Sequence, residues 1–198
     1  MKIFFALITV FLFVGCTTMK PHVTEFRVIT KDANIKSSAR GCIDKSLKVS
    51  QAFSSASLLS LDMDYTESDN KIFSYSESQW QESPNSFITS ELFKNIRDSA
   101  LFKSVHSFKT RVKSDFVLEI DVEEFMQFYT KDMSSSYVNV IINASLVDTK
   151  TNNVISTSKF ISKIDTKTAD ASGGVEAIST ALDEIISKNI EWLGGVCK

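Results

Sequence analysis

The chain has 198 residues, with 22 Lys+Arg against 24 Asp+Glu and a formal net charge of −2, and a pI near 5.7. It has no lysine–arginine run of the kind a phosphate backbone demands, which excludes nucleic acid from the expected partners. An apolar fraction of 43%, including 15 Phe, supports a substantial core, while only 6 Gly and 2 Pro, with no internal period, argue against a solenoid or propeller.

The first element is a secretory signal. Met1 and Lys2 precede an apolar run, Ile3 to Val14, and then the small Gly15 before Cys16. A membrane span needs about 20 apolar residues, and this run stops short, followed by Thr17, Thr18, Lys20 and Pro21. Phe13-Val14-Gly15-Cys16 resembles a bacterial lipobox, in which the cysteine is acylated with palmitate-type chains and becomes the mature N-terminus. Residues 1–15 are then a signal peptide, 16–23 a lipidated tether and 24–198 the folded domain; removing the signal leaves about 180 residues, within the range of one domain. An ordinary cleavable signal with an incidental cysteine is the competing reading. Thr17, rather than Asp, follows Cys16, which resembles an outer-membrane address.

Glu25 to Thr30 predicts a first strand, followed by a polar stretch over 31–45. Leu47 to Ala52 predicts a short strand, and the serine-rich segment Ser54 to Ser60 a loop or helical turn. Leu61 to Tyr65 and Lys71 to Ser76 predict two strands about a polar turn. Ser83-Pro84 opens a helix, because Ser is a favoured N-cap and Pro suits the first helical position. Its apolar residues Phe87, Leu92 and Ile96 share a face up to Leu101. Phe102 to Ser107 predicts a short extended segment.

Strict alternation follows. In Asp115 to Glu123, Phe116, Leu118, Ile120 and Val122 fall on one side and Glu119, Asp121 and Glu123 on the other. Tyr137 to Asp148 repeats the pattern with Val138, Val140, Ile142, Ala144 and Leu146. Asp148 to Asn153 predicts a hairpin loop, and Val154 to Ile164 the return strand. A last helix is expected from about Gly174 to Leu193, ended by Gly194-Gly195. This order implies an α+β fold in a single domain: a mostly antiparallel β-sheet with two main helices packed on one face.

No catalytic set is visible, so no enzyme activity is expected. There is no G-x-S-x-G, Walker loop or H-E-x-x-H, and His22 and His106 stand apart from any nucleophile. Asp62, Asp64, Glu67 and Asp69 lack the Gly and distal Glu of a calcium loop. Neither a metal nor a cofactor is expected. In an oxidising compartment Cys42 and Cys197 form an even pair, which predicts a disulfide, with two buried thiols as the alternative. Phe125, Met126, Phe128 and Tyr129 form a dense cluster, read either as core or as an apolar contact surface for lipid or a partner.

Lys71-Ile72-Phe73-Ser74-Tyr75, then Ser78-Gln79-Trp80-Gln81-Glu82-Ser83-Pro84, the segment Leu101-Phe102-Lys103-Ser104-Val105 and the strand Phe116-Val117-Leu118-Glu119-Ile120 occur in this order behind a lipobox. The set resembles the ABC-type transport auxiliary lipoproteins. That resemblance implies a non-enzymatic accessory lipoprotein on the periplasmic face of the outer membrane. It would act with a mammalian-cell-entry type substrate-binding subunit of an ABC transporter to move phospholipids or other hydrophobic molecules between membranes, as an oligomer or alone. Trp80 would staple the strand-to-helix corner or serve as a partner hot spot. The alternative function is an envelope assembly or scaffolding lipoprotein of the secretion, lipopolysaccharide or peptidoglycan machinery.

Overall fold

The computed structural model describes residues 22–31, 42–68 and 71–196. In chain order the strands are β1 (Thr24–Phe26), β2 (Ser46–Val49), β3 (Phe53–Ser54), β4 (Asp62–Ser68), β5 (Lys71–Trp80), β6 (Ser104–Ser107), β7 (Phe116–Tyr129), β8 (Ser136–Asp148) and β9 (Asn153–Asp165). A 3₁₀ turn, Ala56–Leu59, follows β3, and the two helices are α1 (Pro84–Asp98) and α2 (Ala171–Val196). The fold is α+β, one domain, with both helices against one face of the sheet.

The alternating segments form the backbone of the sheet. β7 pairs antiparallel with β8 along nearly its whole length, and β8 pairs likewise with β9. The other edge of β7 is shared in succession by three short strands, β2, β3 and β4, each parallel to it. Beyond them β6 lies parallel to β2, β5 antiparallel to β4, and β1 parallel to β5. The sheet is therefore mixed: its long ladders are antiparallel, as the alternation required, and its short ones are mainly parallel. Nothing in the sequence of a two- to four-residue strand records the direction of its partner.

Several element boundaries differ from the sequence-based expectation. The first strand is only Thr24–Phe26, because its continuation turns across the helices: the Ile29 and Lys31 N–H groups donate to Ser179 Oγ and Asp183 Oδ1 of α2. β7 does not stop at Glu123 but runs through the aromatic cluster to Tyr129. α2 begins three residues earlier than Gly174, since Asp170 Oδ1 accepts the Gly173 N–H at 2.7 Å and caps the helix. It also continues through Gly194-Gly195 to Val196, carried by the buried face that ends in Leu193 and Gly194. At α1, the Ser83 hydroxyl bonds to Asn85 and Ser86 side chains, and it is the Ser83 carbonyl that accepts the Ser86 and Phe87 N–H groups. Ala100, at φ 55°, turns the chain after α1.

Both helices bury one apolar stripe. Ile88, Leu92 and Ile96 of α1, and Ile178, Leu182, Ile185 and Leu193 of α2, are almost wholly buried against Leu118, Ile120 and Val122 of β7 and Val138, Val140 and Ile142 of β8. Each such side chain contributes about 1.5–3 kcal/mol relative to exposure. Thr89 fits this stripe because its hydroxyl accepts the Ala52 N–H at 2.9 Å and donates to the Asn85 carbonyl. Among the described residues no helix lies on the opposite face of β7, β8 and β9.

Candidate interaction surface

The four aromatic residues singled out in the sequence do not form one surface. Trp80 is buried, with ring centroids 5.7 Å from Phe87 and 6.0 Å from Phe125, and Phe87 lies 5.6 Å from Phe125. This triad closes the corner where β5 enters α1. Tyr129 is also buried on the helix side, its hydroxyl 2.6 Å from that of Tyr75. Phe128 alone of the four points to the helix-free face, half-buried and stacked on Tyr137 with centroids 5.1 Å apart and planes 6° apart. Of the two readings the sequence left open, Trp80, Phe125 and Tyr129 take the core position, and Phe128 stands on the open face.

The cause is a β-bulge. Val122 pairs with Ile142 and Glu124 with Ile141, so Glu123 is one extra residue in β7. Leu118, Ile120 and Val122 face the helices, and after the bulge so do Phe125, Gln127 and Tyr129. Met126 and Phe128 are left on the open face, between the charged stretch Glu119, Asp121, Glu123 and the strand tips.

That open face carries a half-buried band. Phe128 faces Tyr137, Met126 faces Asn139, and Ile141 faces Ile161, which is 51% exposed. Lys163 Nζ lies 3.7 Å from the centroid of the Tyr137 ring, a cation–π contact that covers one edge of the band. On its other side Lys159 Nζ meets Glu123 at 2.7 Å, and Asn143 Nδ2 donates to the same carboxylate at 3.1 Å. Those two donors hold the Glu123 carboxyl below the usual carboxylate range. Burial pushes Glu124, at the start of the band, in the opposite direction. Next to the charges a shallow depression of about 510 Å³ is lined by residues including Phe53, Glu119, Asp121, Asn143 and Ser145. An apolar strip rimmed by paired charges is suited to binding rather than to chemistry.

Sequence reasoning missed the polar cluster beneath the band. Gln127 Nε2 donates to Ser136 Oγ at 2.9 Å and to the Asp170 carbonyl at 3.1 Å, and Gln127 Oε1 accepts from the Tyr75 hydroxyl at 3.0 Å. Burial, then the Tyr129 hydroxyl beside it, raises the Tyr75 phenol far above its ordinary range. Gln127 ties β7, β8, β5 and the start of α2 together. A lone Gln within an aromatic run was the only signal available.

The other sequence candidates are placed as follows. Cys42 is buried and disulfide-bonded, and its partner lies outside the described residues, as do Cys16 and Cys197 themselves. His106 sits on β6 with Nε2 3.1 Å from Ser104 Oγ. Among the described residues no group of three His, Cys, Asp or Glu is placed to hold a metal ion, and no helix is long and apolar enough to cross a membrane. A second depression of about 390 Å³ lies between β1 and the start of α1, lined by Phe26, Arg27, Val28, Gln81, Glu82 and Phe87.

No family model matches the chain, and no curated protein matches it in sequence. Solved structures do match in fold. A protein from Xanthomonas campestris assigned to family model DUF330 superposes with a TM-score of 0.75 at 16% identity, over 87% of this chain and 96% of that one. A second crystal structure, of an uncharacterized protein, gives 0.65 at 13% identity, over 86% and 98%. Lipoprotein GNA1162 from Neisseria meningitidis matches at 0.39 and 12% identity, over 71% of this chain and 97% of that one, a likeness too loose to carry an argument. These findings correct the resemblance to the ABC-type transport auxiliary lipoproteins: the similar fold is assigned to DUF330, and no comparison links the chain to an ABC or mammalian-cell-entry system. The physical reason is that the quoted segments are fold-forming. Trp80 fills the core, Pro84 starts α1, and Leu118 and Ile120 line the sheet. By fold alone the chain is similar to an α+β protein that is assigned to DUF330.

Proposed function

We propose that this chain is a non-enzymatic, lipid-anchored docking module of the cell envelope, an accessory part of a system that moves phospholipids or other hydrophobic molecules between inner and outer membranes. The observation carrying this reading is the band of Met126, Phe128, Tyr137, Ile141 and Ile161 on a sheet face that no helix covers among the described residues. A flat, half-apolar strip framed by Glu123–Lys159 and Lys163 offers a partner protein area and register. The lipobox at Cys16 supports anchorage, and Thr17 supports the outer membrane as the address. In the same reading Cys42 pairs with Cys197, which pins the chain's end to the start of β2.

The test is recovery of partners from envelopes with the full chain and with Ile161→Asp. Ile161 is half-exposed, and such surface changes usually shift stability by within about 0.5 kcal/mol. Co-recovery of inner-membrane transporter subunits with the parent, lost in Ile161→Asp at unchanged melting temperature, is the expected result. Recovery instead of secretion, lipopolysaccharide or peptidoglycan machinery sinks the transport reading in favour of envelope assembly. Equal recovery with both proteins rules out the open face as the docking site.

A further inference from the structure

The end of the domain formed by the β4–β5 hairpin and the β7–β8 turn concentrates one kind of side chain. All four tyrosines of the chain, Tyr65, Tyr75, Tyr129 and Tyr137, lie there. On the helix side Tyr65 sits 4.6 Å from Tyr75 and 5.3 Å from Tyr129 between ring centroids, and Phe73 stacks outside it at 5.7 Å. On the open side Phe128 and Tyr137 stack, and Ile72 lies in the same row, beside Thr66, which adjoins Phe128. At the extremity Ile72 is 63% exposed, Met133 39% and Phe73 37%. Single exposed apolar residues are ordinary, but these three converge on one end, backed by rings with apolar bodies and polar tips. That composition suits the boundary between water and acyl chains.

The path of the chain points the same end toward the anchor. β1 runs parallel to β5 with Thr24 beside Ser78, so the chain that precedes Thr24 arrives from the side where β5 begins. From Ser78 back to Lys71 β5 covers about 23 Å at roughly 3.3 Å per residue. The eight steps from Cys16 to Thr24 span at most about 29 Å when fully extended. A fully stretched leash along β5 therefore overshoots the hairpin by only about 6 Å.

Charge does not supply the attraction. Among the described residues at this end Lys71, Lys131, Lys163 and Lys167 are more than matched by Glu67, Asp132, Asp165, Asp170 and Glu176. Lys167 is paired with Glu176 at 3.0 Å, and Lys163 lies over Tyr137. The contact is apolar and aromatic.

We propose that this tyrosine-rich end rests on the bilayer that holds Cys16, with Ile72, Phe73 and Met133 at headgroup depth, so that the strands stand upright from the membrane and the open sheet face is presented sideways. The inference rests on the lipid-anchor part of the proposed function.

The test uses the acylated full chain in vesicles of phosphatidylethanolamine and phosphatidylglycerol, with and without brominated acyl chains. Phe73→Trp adds an indole at the hairpin. Val112→Trp adds one before β7, at the opposite end, where Val112 is also exposed. Brominated lipid is expected to quench the indole added at position 73 and not the one added at 112, with quenching unchanged in high salt. Acylated, vesicle-bound protein with no quenching at 73, or with equal quenching at both positions, overturns the orientation. Loss of quenching in salt overturns the apolar contact. If the anchor reading fails, the outcome differs: the mature N-terminus has no acyl mass, and the parent and both variants leave the vesicles together.

Discussion

Gly174 and Gly195 lie in the same helix under opposite constraints. A Cβ at Gly174 would sit 2.1 Å from Gln127 Oε1, the atom that accepts the Tyr75 hydroxyl. Gln127 is held in place by bonds to Ser136 and Asp170, so it has little freedom to withdraw. Gly174→Ala is expected to lower stability by about 1–3 kcal/mol through overpacking and a broken hydrogen-bond cluster. At Gly195 nothing lies within 4 Å of such a Cβ, and Gly195→Ala is expected to add up to about 1 kcal/mol of helix stability. Urea unfolding of the two variants checks both signs.

Single carboxylates set the acid limit. The Ser46 N–H and hydroxyl donate to Asp115 Oδ2 at 2.9 and 2.8 Å, and hold its carboxyl below its ordinary range. Backbone N–H groups of Thr151 and Lys150 do the same for Asp148. A folded-state pKa below the unfolded one stabilises above the ordinary carboxylate range, and that stability is lost as pH falls through the folded value. Glu124 has the opposite sign. Burial raises its carboxyl, so its folded form is favoured when protonated, and that contribution is lost as pH rises through the folded value. Unfolding midpoints between about pH 7 and pH 3 are expected to fall less steeply in Asp115→Asn than in the parent, and Glu124→Gln is expected to gain stability at neutral pH.

Among the elements, β7 is the one whose internal register decides what faces the core. Its alternation before Val122 was plain in the sequence, because charged and aliphatic residues take turns. After Val122 the sequence offers two apolar sets, Met126 with Phe128 or Phe125 with Tyr129, and only the bulge at Glu123 selects between them. Deleting Glu123 removes the extra residue and leaves Phe125, Gln127 and Tyr129 inward, at the loss of one exposed ion pair worth about 0–1 kcal/mol. Deleting Met126 turns Gln127 and Tyr129 outward. Circular dichroism melts are expected to stay cooperative for the first deletion and to collapse for the second. The outer edge of β9 is paired with no strand among the described residues, and Lys159 and Lys163 along it are the kind of residue that discourages edge-to-edge association.

For the molecule as a whole, the chain ends matter most. The proposed Cys42–Cys197 bond closes a loop of more than 150 residues, worth up to about 5 kcal/mol in the chain-entropy model. Peptide mapping without reductant is expected to recover the two cysteines in one linked species, and free thiols at both positions would remove the bond from the account. Reduction is expected to lower the melting temperature without loss of the sheet, since the buried stripes of α1 and α2 do not depend on Cys197.

The sequence by itself determined the α+β class, the two helical stripes, the long antiparallel ladders and the shortage of catalytic residue patterns. The first three follow from local periodicity, which repeats every two or 3.6 residues, and the last from short motifs; both are readable from neighbours in the chain. Tertiary structure alone decided which aromatic residues are core, which stand on the open face, and that the short strands lie parallel along β7. Those choices depend on one extra residue at Glu123 and on partners far away in sequence. Trp80, conspicuous in the chain, proved to be packing, while Gln127 and Ile161, inconspicuous in it, hold the positions that matter for the interior cluster and the candidate surface.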